Sequence, residues 1–125
     1  MKKIYPITIT EKLEECKKFY QEIFDFKIVF EAEWYIQLLH IKSGVEIAIM
    51  KPNLENQPAE LHTEYNGNGI VYSFEVDDAE EEYEKIKEKT DSIFHKLTTE
   101  EWGQTHFMLK DPAGVVIDVV EQASE

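Results

Sequence analysis

The stretch Glu101 to Glu121, EWGQTHFMLKDPAGVVIDVVE, holds the densest set of side chains that could do chemistry. Trp102, Gln104 and His106 fall on one row of a two-residue alternation with Met108, and Asp118 is the only charge in the β-branched run Val115, Val116, Ile117, Val119 and Val120. A carboxylate in such a run requires a partner or a ligand, because burying it alone is costly. Outside this stretch, Trp34 and Tyr35 add flat aromatic faces, and Glu46 and Glu75 add negative charge on strand-like segments. Two chemistries fit these types. Aromatic faces beside carboxylates bind a cation by stacking and cation–π contact. Alternatively, imidazole and carboxylate side chains suit divalent Ni, Zn, Mn or Fe and leave positions open for substrate oxygens. No Ser-His-Asp or Cys-His constellation and no glycine-rich phosphate loop is present.

The elements that must position these groups follow from periodicity. Ile4 to Ile9 reads as a strand, with Thr10 as the N-cap of an amphipathic helix whose apolar stripe is Leu13, Cys16, Phe19, Tyr20, Ile23 and Phe24. Cys16 lies on that stripe, so it is expected in the core and not as a nucleophile. Asp25 to Glu31, Trp34 to Ile41 and Val45 to Met50 read as three strands, the last two joined at Lys42-Ser43-Gly44. Pro52 to Gly69 lacks any period and reads as a connecting loop, with His62 solvated. Ile70 to Val76 is a strand, and Asp78 with Glu81 opens a second helix that turns Ala79, Tyr83 and Ile86 inward. Ser92 to Leu97 is another strand. Asp111-Pro112-Ala113-Gly114 reverses the chain between the last two.

Strand, helix and three strands thus occur twice. Ile9 answers Val76, Trp34 answers Trp102 and Gly44 answers Gly114 at nearly one offset. The expected fold is α+β: one domain of two βαβββ modules, about 1–51 and 70–122, joined by loop 52–69. Their curved mixed sheets enclose a cleft, and the helices lie outside.

Composition sets the partners. Thirteen basic against twenty-six acidic residues give a net charge of -13, which disfavours nucleic acid and anionic lipid and favours cationic or neutral ligands. The 42% hydrophobic content supports a packed core despite 31% charge. The apolar runs are too short for a membrane span or a signal peptide, so a cytoplasmic protein is expected by default, and a single cysteine fits a reducing compartment.

The duplicated pattern, Phe19-Tyr20 ending the first helix, Phe74-Glu75-Val76-Asp77-Asp78 opening the second, and Asp111-Pro112-Ala113-Gly114 together resemble the glyoxalase, bleomycin-resistance and extradiol-dioxygenase superfamily, also called vicinal oxygen chelate. The resemblance implies a homodimer with clefts lined by strands of paired modules, and in the enzymes a divalent metal held by His and Glu. Carried over residue by residue, the first histidine falls on Tyr5, or on Pro6 with a slip of one, and the second falls on Val71. Asp118 stands where the last strand's Glu would be, and Glu46 alone matches. Glu101-Trp102-Gly103-Gln104-Thr105 and Ile28-Val29-Phe30-Glu31-Ala32-Glu33-Trp34 are similar to the bleomycin-resistance branch, which sequesters bulky cationic antibiotics without a metal.

The expectation is therefore a binding protein without metal or cofactor. Its ligand would be a bulky, cationic and aromatic small molecule, held by Trp34, Tyr35, Glu46, Glu75, Trp102, Gln104, His106 and Asp118. One alternative is a glyoxalase-like lyase or dioxygenase with its metal on Glu46, His106 and Asp118. Another is a regulatory or immunity-type protein whose acidic face binds a basic partner.

Overall fold

Each half of the chain builds a sheet with one helix on one face, and which residues turn toward that helix decides everything about the site. The structure, a computed structural model, describes residues 1–124. It divides into two compact units, Met1–Asn66 and a second beginning at Gly67. In the first, β1 (Ile7–Ile9), α1 (Leu13–Phe24), β2 (Lys27–Ala32), β3 (Tyr35–His40) and β4 (Val45–Met50) form a sheet in the order β1-β4-β3-β2. In the second, β5 (Val71–Glu75), α2 (Ala79–Ile86), β6 (Ile93–Thr99), β7 (Thr105–Lys110) and β8 (Val116–Glu121) repeat it as β5-β8-β7-β6. The opening strand of each unit pairs parallel with its last, and all other pairs are antiparallel. The fold is α+β with tandem βαβββ units.

The period-two pattern separates the two faces. In the first unit Ile36, Leu38, Ile47 and Ile49 lie against the α1 stripe of Leu13, Cys16, Phe19 and Tyr20, and all eight are buried. Edge-to-face contacts of Phe19 with Tyr20 and Tyr20 with Phe26, at 5.1 and 5.5 Å, close this core. In the second unit Phe107, Leu109, Ile117 and Val119 take the same places, with Tyr83 of α2 edge-on to Phe107 at 5.1 Å. Each fully buried side chain of this size contributes about 1.5–3 kcal/mol. The opposite face of each sheet carries the polar residues.

Several boundaries differ from the sequence reading. Thr10 does not cap α1: its Oγ1 accepts from Lys12 N at 3.1 Å, and the helix begins at Leu13 with no side-chain cap. Asp25 is not a strand residue but the left-handed terminus of α1, its N–H donating to Tyr20 O. Asp78 does cap α2, accepting from Glu81 N at 3.0 Å, and Glu121 Oε1 accepts from Ala79 N at 3.0 Å. The connecting stretch contains a 3-10 turn, Ala59–Leu61, and Tyr65 N donates to Ile9 O, so most of it belongs to the first unit. Trp34 and Trp102 are not in equivalent register, for Trp34 immediately precedes β3 while Trp102 lies in a turn three residues before β7.

Candidate functional site

The hairpin turn after β7 sets the geometry of the second unit's open face. Asp111 Oδ1 accepts from Ala113 N and Val115 N, both at 2.9 Å, and Gly114 takes φ +95°. This fixes the β7–β8 register, with His106 opposite Val120 and Met108 opposite Asp118. His106 and Asp118 are then diagonal neighbours on one face, and His106 Nδ1 lies 2.8 Å from Asp118 Oδ1.

At its other end the ring meets a residue the sequence reading missed. Glu100 N donates to Gln104 O at 2.8 Å and Gly103 N to Glu100 O at 2.9 Å, a tight connection in which Gly103 takes φ +99°. The turn swings Glu100 back along the strand, where its Oε2 lies 2.9 Å from His106 Nε2. The His106 residue is 6% exposed. Burial by itself would lower its pKa, but the hydrogen bonds to Glu100 and Asp118 and their charges outweigh this and raise it above the usual value. Carboxylates at both ring nitrogens favour the doubly protonated ring, in which each N–H donates to one of them.

Beside it runs a ladder of amides. Trp102 Nε1 donates to Gln104 Oε1 at 2.7 Å, Gln104 Nε2 to Gln122 Oε1 at 2.6 Å, and Gln122 Nε2 to Glu75 Oε1 at 2.8 Å. The ladder brings Trp102, Gln104 and Glu75 together across β7, β8 and β5, and Trp102 is 65% exposed. On β5, Ser73 is directly opposite Asp118, whereas Val71, onto which the second histidine of the resemblance was carried, is opposite Val116.

The first unit repeats the geometry with other side chains. Gln37 is opposite Ala48, so Glu46 is its diagonal neighbour as Asp118 is that of His106. Gln37 Nε2 donates to Glu46 Oε1 at 2.9 Å, Tyr35 donates its hydroxyl proton to Gln37 Oε1, and Lys3 Nζ lies 2.5 Å from Glu46 Oε2. Continuing the β1–β4 register back by two residues brings Tyr5 level with Glu46, as Ser73 is level with Asp118. The Lys3 ammonium, and after it the Gln37 amide, hold the Glu46 carboxyl below its ordinary range. Burial first, then the neighbouring Tyr5 and the Glu46 charge, push Tyr35 up to about 12. Trp34 is 41% exposed, its ring 5.4 Å from that of Tyr35.

Against known proteins, the model of the glyoxalase-like domain matches residues 3–124. The chain belongs to the glyoxalase-like domain family. A glyoxalase/bleomycin resistance protein/dioxygenase from Nocardioides has 14% identity and a TM-score of 0.80, over 99% of this chain and 85% of its own. Lactoylglutathione lyase from Agrobacterium tumefaciens has 16% identity and a TM-score of 0.74, over 97% and 94%. A protein of unknown function from Agrobacterium tumefaciens str. C58 has 23% identity and a TM-score of 0.73, over 98% and 94%. At these identities the likeness is one of fold. A comparison with curated proteins finds no match.

A divalent metal, as in the family's enzymes, does not fit the residues present. His106 has a carboxylate at each ring nitrogen, so a metal at either nitrogen would have to displace Glu100 or Asp118 from it. The corresponding place in the first unit is the amide Gln37, and Glu46 is held by Lys3. Among the described residues no group of three or more His, Cys, Asp or Glu side chains is arranged to hold a metal ion. Among the described residues no helix is long and apolar enough to cross a membrane.

Proposed function

We propose that this glyoxalase-like domain sequesters a bulky, aromatic and cationic small molecule without covalent chemistry, in the manner of the bleomycin-resistance branch that its sequence resembles. The observation that carries this reading is the clamp on His106. Glu100 and Asp118 engage both of its nitrogens, so two carboxylates are set against a single imidazole on this face. Glu75, at the end of the amide ladder, adds a third carboxylate to the same open face, and exposed Trp102 supplies a ring at its edge. A cation beside carboxylates and over an indole gains both Coulomb and cation–π attraction.

The test is calorimetric titration at pH 8 with N-methylacridinium and with acridine, a pair of similar shape of which only the first is charged there. The cation binds, the neutral analogue binds more weakly, and Asp118→Asn weakens only the cation. Equal binding of the two overturns the reading. Tight uptake of Ni, Zn, Mn or Fe(II) that disappears in His106→Ala would instead place the chain with the family's metal-dependent enzymes.

A further inference from the structure

The second unit has a concavity that the proposed function does not use. A groove of about 610 Å³ follows β6 next to the C-terminal end of α2, lined by Tyr83, Lys87, Ile93, Phe94, His95 and Lys96, with Thr90, Asp91 and Thr98. Its volume is in the range of small-molecule sites. β6 is the edge strand of its sheet, and its pairing with β7 slips between Ile93 and His95 and again between His95 and Thr98. These irregularities explain why four consecutive residues, Ile93 to Lys96, line one groove, which strict alternation would forbid.

The groove's charge runs against that of the chain. Its lining has two lysines and one aspartate, whereas the whole chain has half as many basic as acidic residues. Both large rings in it already have an ammonium over them: Lys87 Nζ is 5.5 Å from the Tyr83 ring centre, and Lys110 Nζ is 5.5 Å from that of Phe94. Helix capping does not account for these lysine side chains. The last carbonyls of α2, Tyr83 O and Ile86 O, are taken by the backbone N–H groups of Lys87, Lys89 and Thr90. Lys87 shares its charge with Glu84 at 2.7 Å, while Lys96 is exposed on the rim and Phe94 is 52% exposed.

We infer that this groove is a second ligand site and takes a small aromatic anion, its ring against Phe94 and Tyr83 and its carboxylate or phosphate at Lys96 and Lys87. The chemistry is opposite in sign to that of the His106 face, so the two readings stand or fall separately. The test is a chemical-shift titration of the whole chain with 2-naphthoate and with 2-naphthamide, its neutral counterpart. The anion shifts the resonances of Tyr83, Lys87, Phe94 and Lys96, and the amide binds more weakly. Lys96→Glu weakens naphthoate by about fivefold, the upper end for one exposed charge contact, and leaves N-methylacridinium binding unchanged. Phe94→Ala, also at an exposed position, weakens both naphthyl probes. Equal affinity for acid and amide, unaltered naphthoate binding in Lys96→Glu, or shifts confined to residues outside the groove would overturn the assignment.

Discussion

Asp118 stands to His106 as Glu46 stands to Gln37: in each unit the acid lies diagonally across the last hairpin from a hydrogen-bonding partner on the same face. The repeat conserves this geometry but not its charge. Glu46 is answered by a lysine, whereas Asp118 shares one imidazolium with Glu100.

Removing the imidazolium leaves two partly buried carboxylates facing each other's charge. His106→Ala is expected to cost about 1–3 kcal/mol, the range for orphaned buried polar partners. Urea unfolding measures it. Glu100→Gln combined with His106→Ala should recover part of the loss, and no recovery would mean that the three groups are not coupled.

The same histidine makes stability depend on pH. Its folded-state pKa lies above the ordinary 6.5, so its contribution is fully present below that value and is lost as pH rises through the folded pKa. Urea midpoints should therefore fall between about pH 6.5 and the folded pKa of His106, read from its own ring resonances. In His106→Gln this part of the slope should vanish.

Tyr35 acts at the alkaline end. With its pKa pushed up to about 12 against an ordinary 10.0, the neutral phenol stabilises the fold below pH 10, and this is lost as pH climbs toward 12. A spectrophotometric titration should show a late-ionising tyrosine component that Tyr35→Phe removes.

Trp102 and Trp34 are expected to separate. Trp102→Ala should weaken N-methylacridinium by about 0.5–1 kcal/mol, the value of a cation–π contact at an exposed site, with little change in unfolding free energy, since the ring is exposed and held through Gln104. Trp34→Ala should leave binding to the His106 face intact. Equal affinities of Trp102→Ala and wild type would remove Trp102 from the site.

At the start of α2, Asp78→Ala should cost about 1 kcal/mol, because it strips the acceptor from Glu81 N. Thr10→Ala should cost less, because Thr10 bonds Lys12 N in the approach to α1 and caps no helical turn. Thermal unfolding of the two variants decides it.

The strands, both helices and the Asp111 turn were legible in the sequence because each depends on local chemistry: a period of two or of 3.6, a capping carboxylate, a glycine at positive φ. His106 and Asp118 were each singled out in the sequence, together with Glu46, but their contact with one another was not. Glu100 was not, since it sits in a turn with no period and reaches His106 only through the fold-back at Gly103. Gln37, Lys3 and Gln122 were missed for a related reason. Each draws its role from a diagonal or cross-strand neighbour, and register between strands is set by turn geometry that side-chain periodicity does not encode. The tryptophan correspondence failed on the same point, because a turn of different length carried Trp102 out of step with Trp34.

The alternation that turns Ile36, Leu38, Phe107 and Leu109 toward the helices leaves Gln37, His106, Glu46 and Asp118 on the opposite rows, beside the buried Ala48, Met50 and Val120. Recognition and foldedness are thereby written on different letters of the same strands. A lineage can exchange an imidazole for an amide, or answer a carboxylate with a lysine, while the core remains intact.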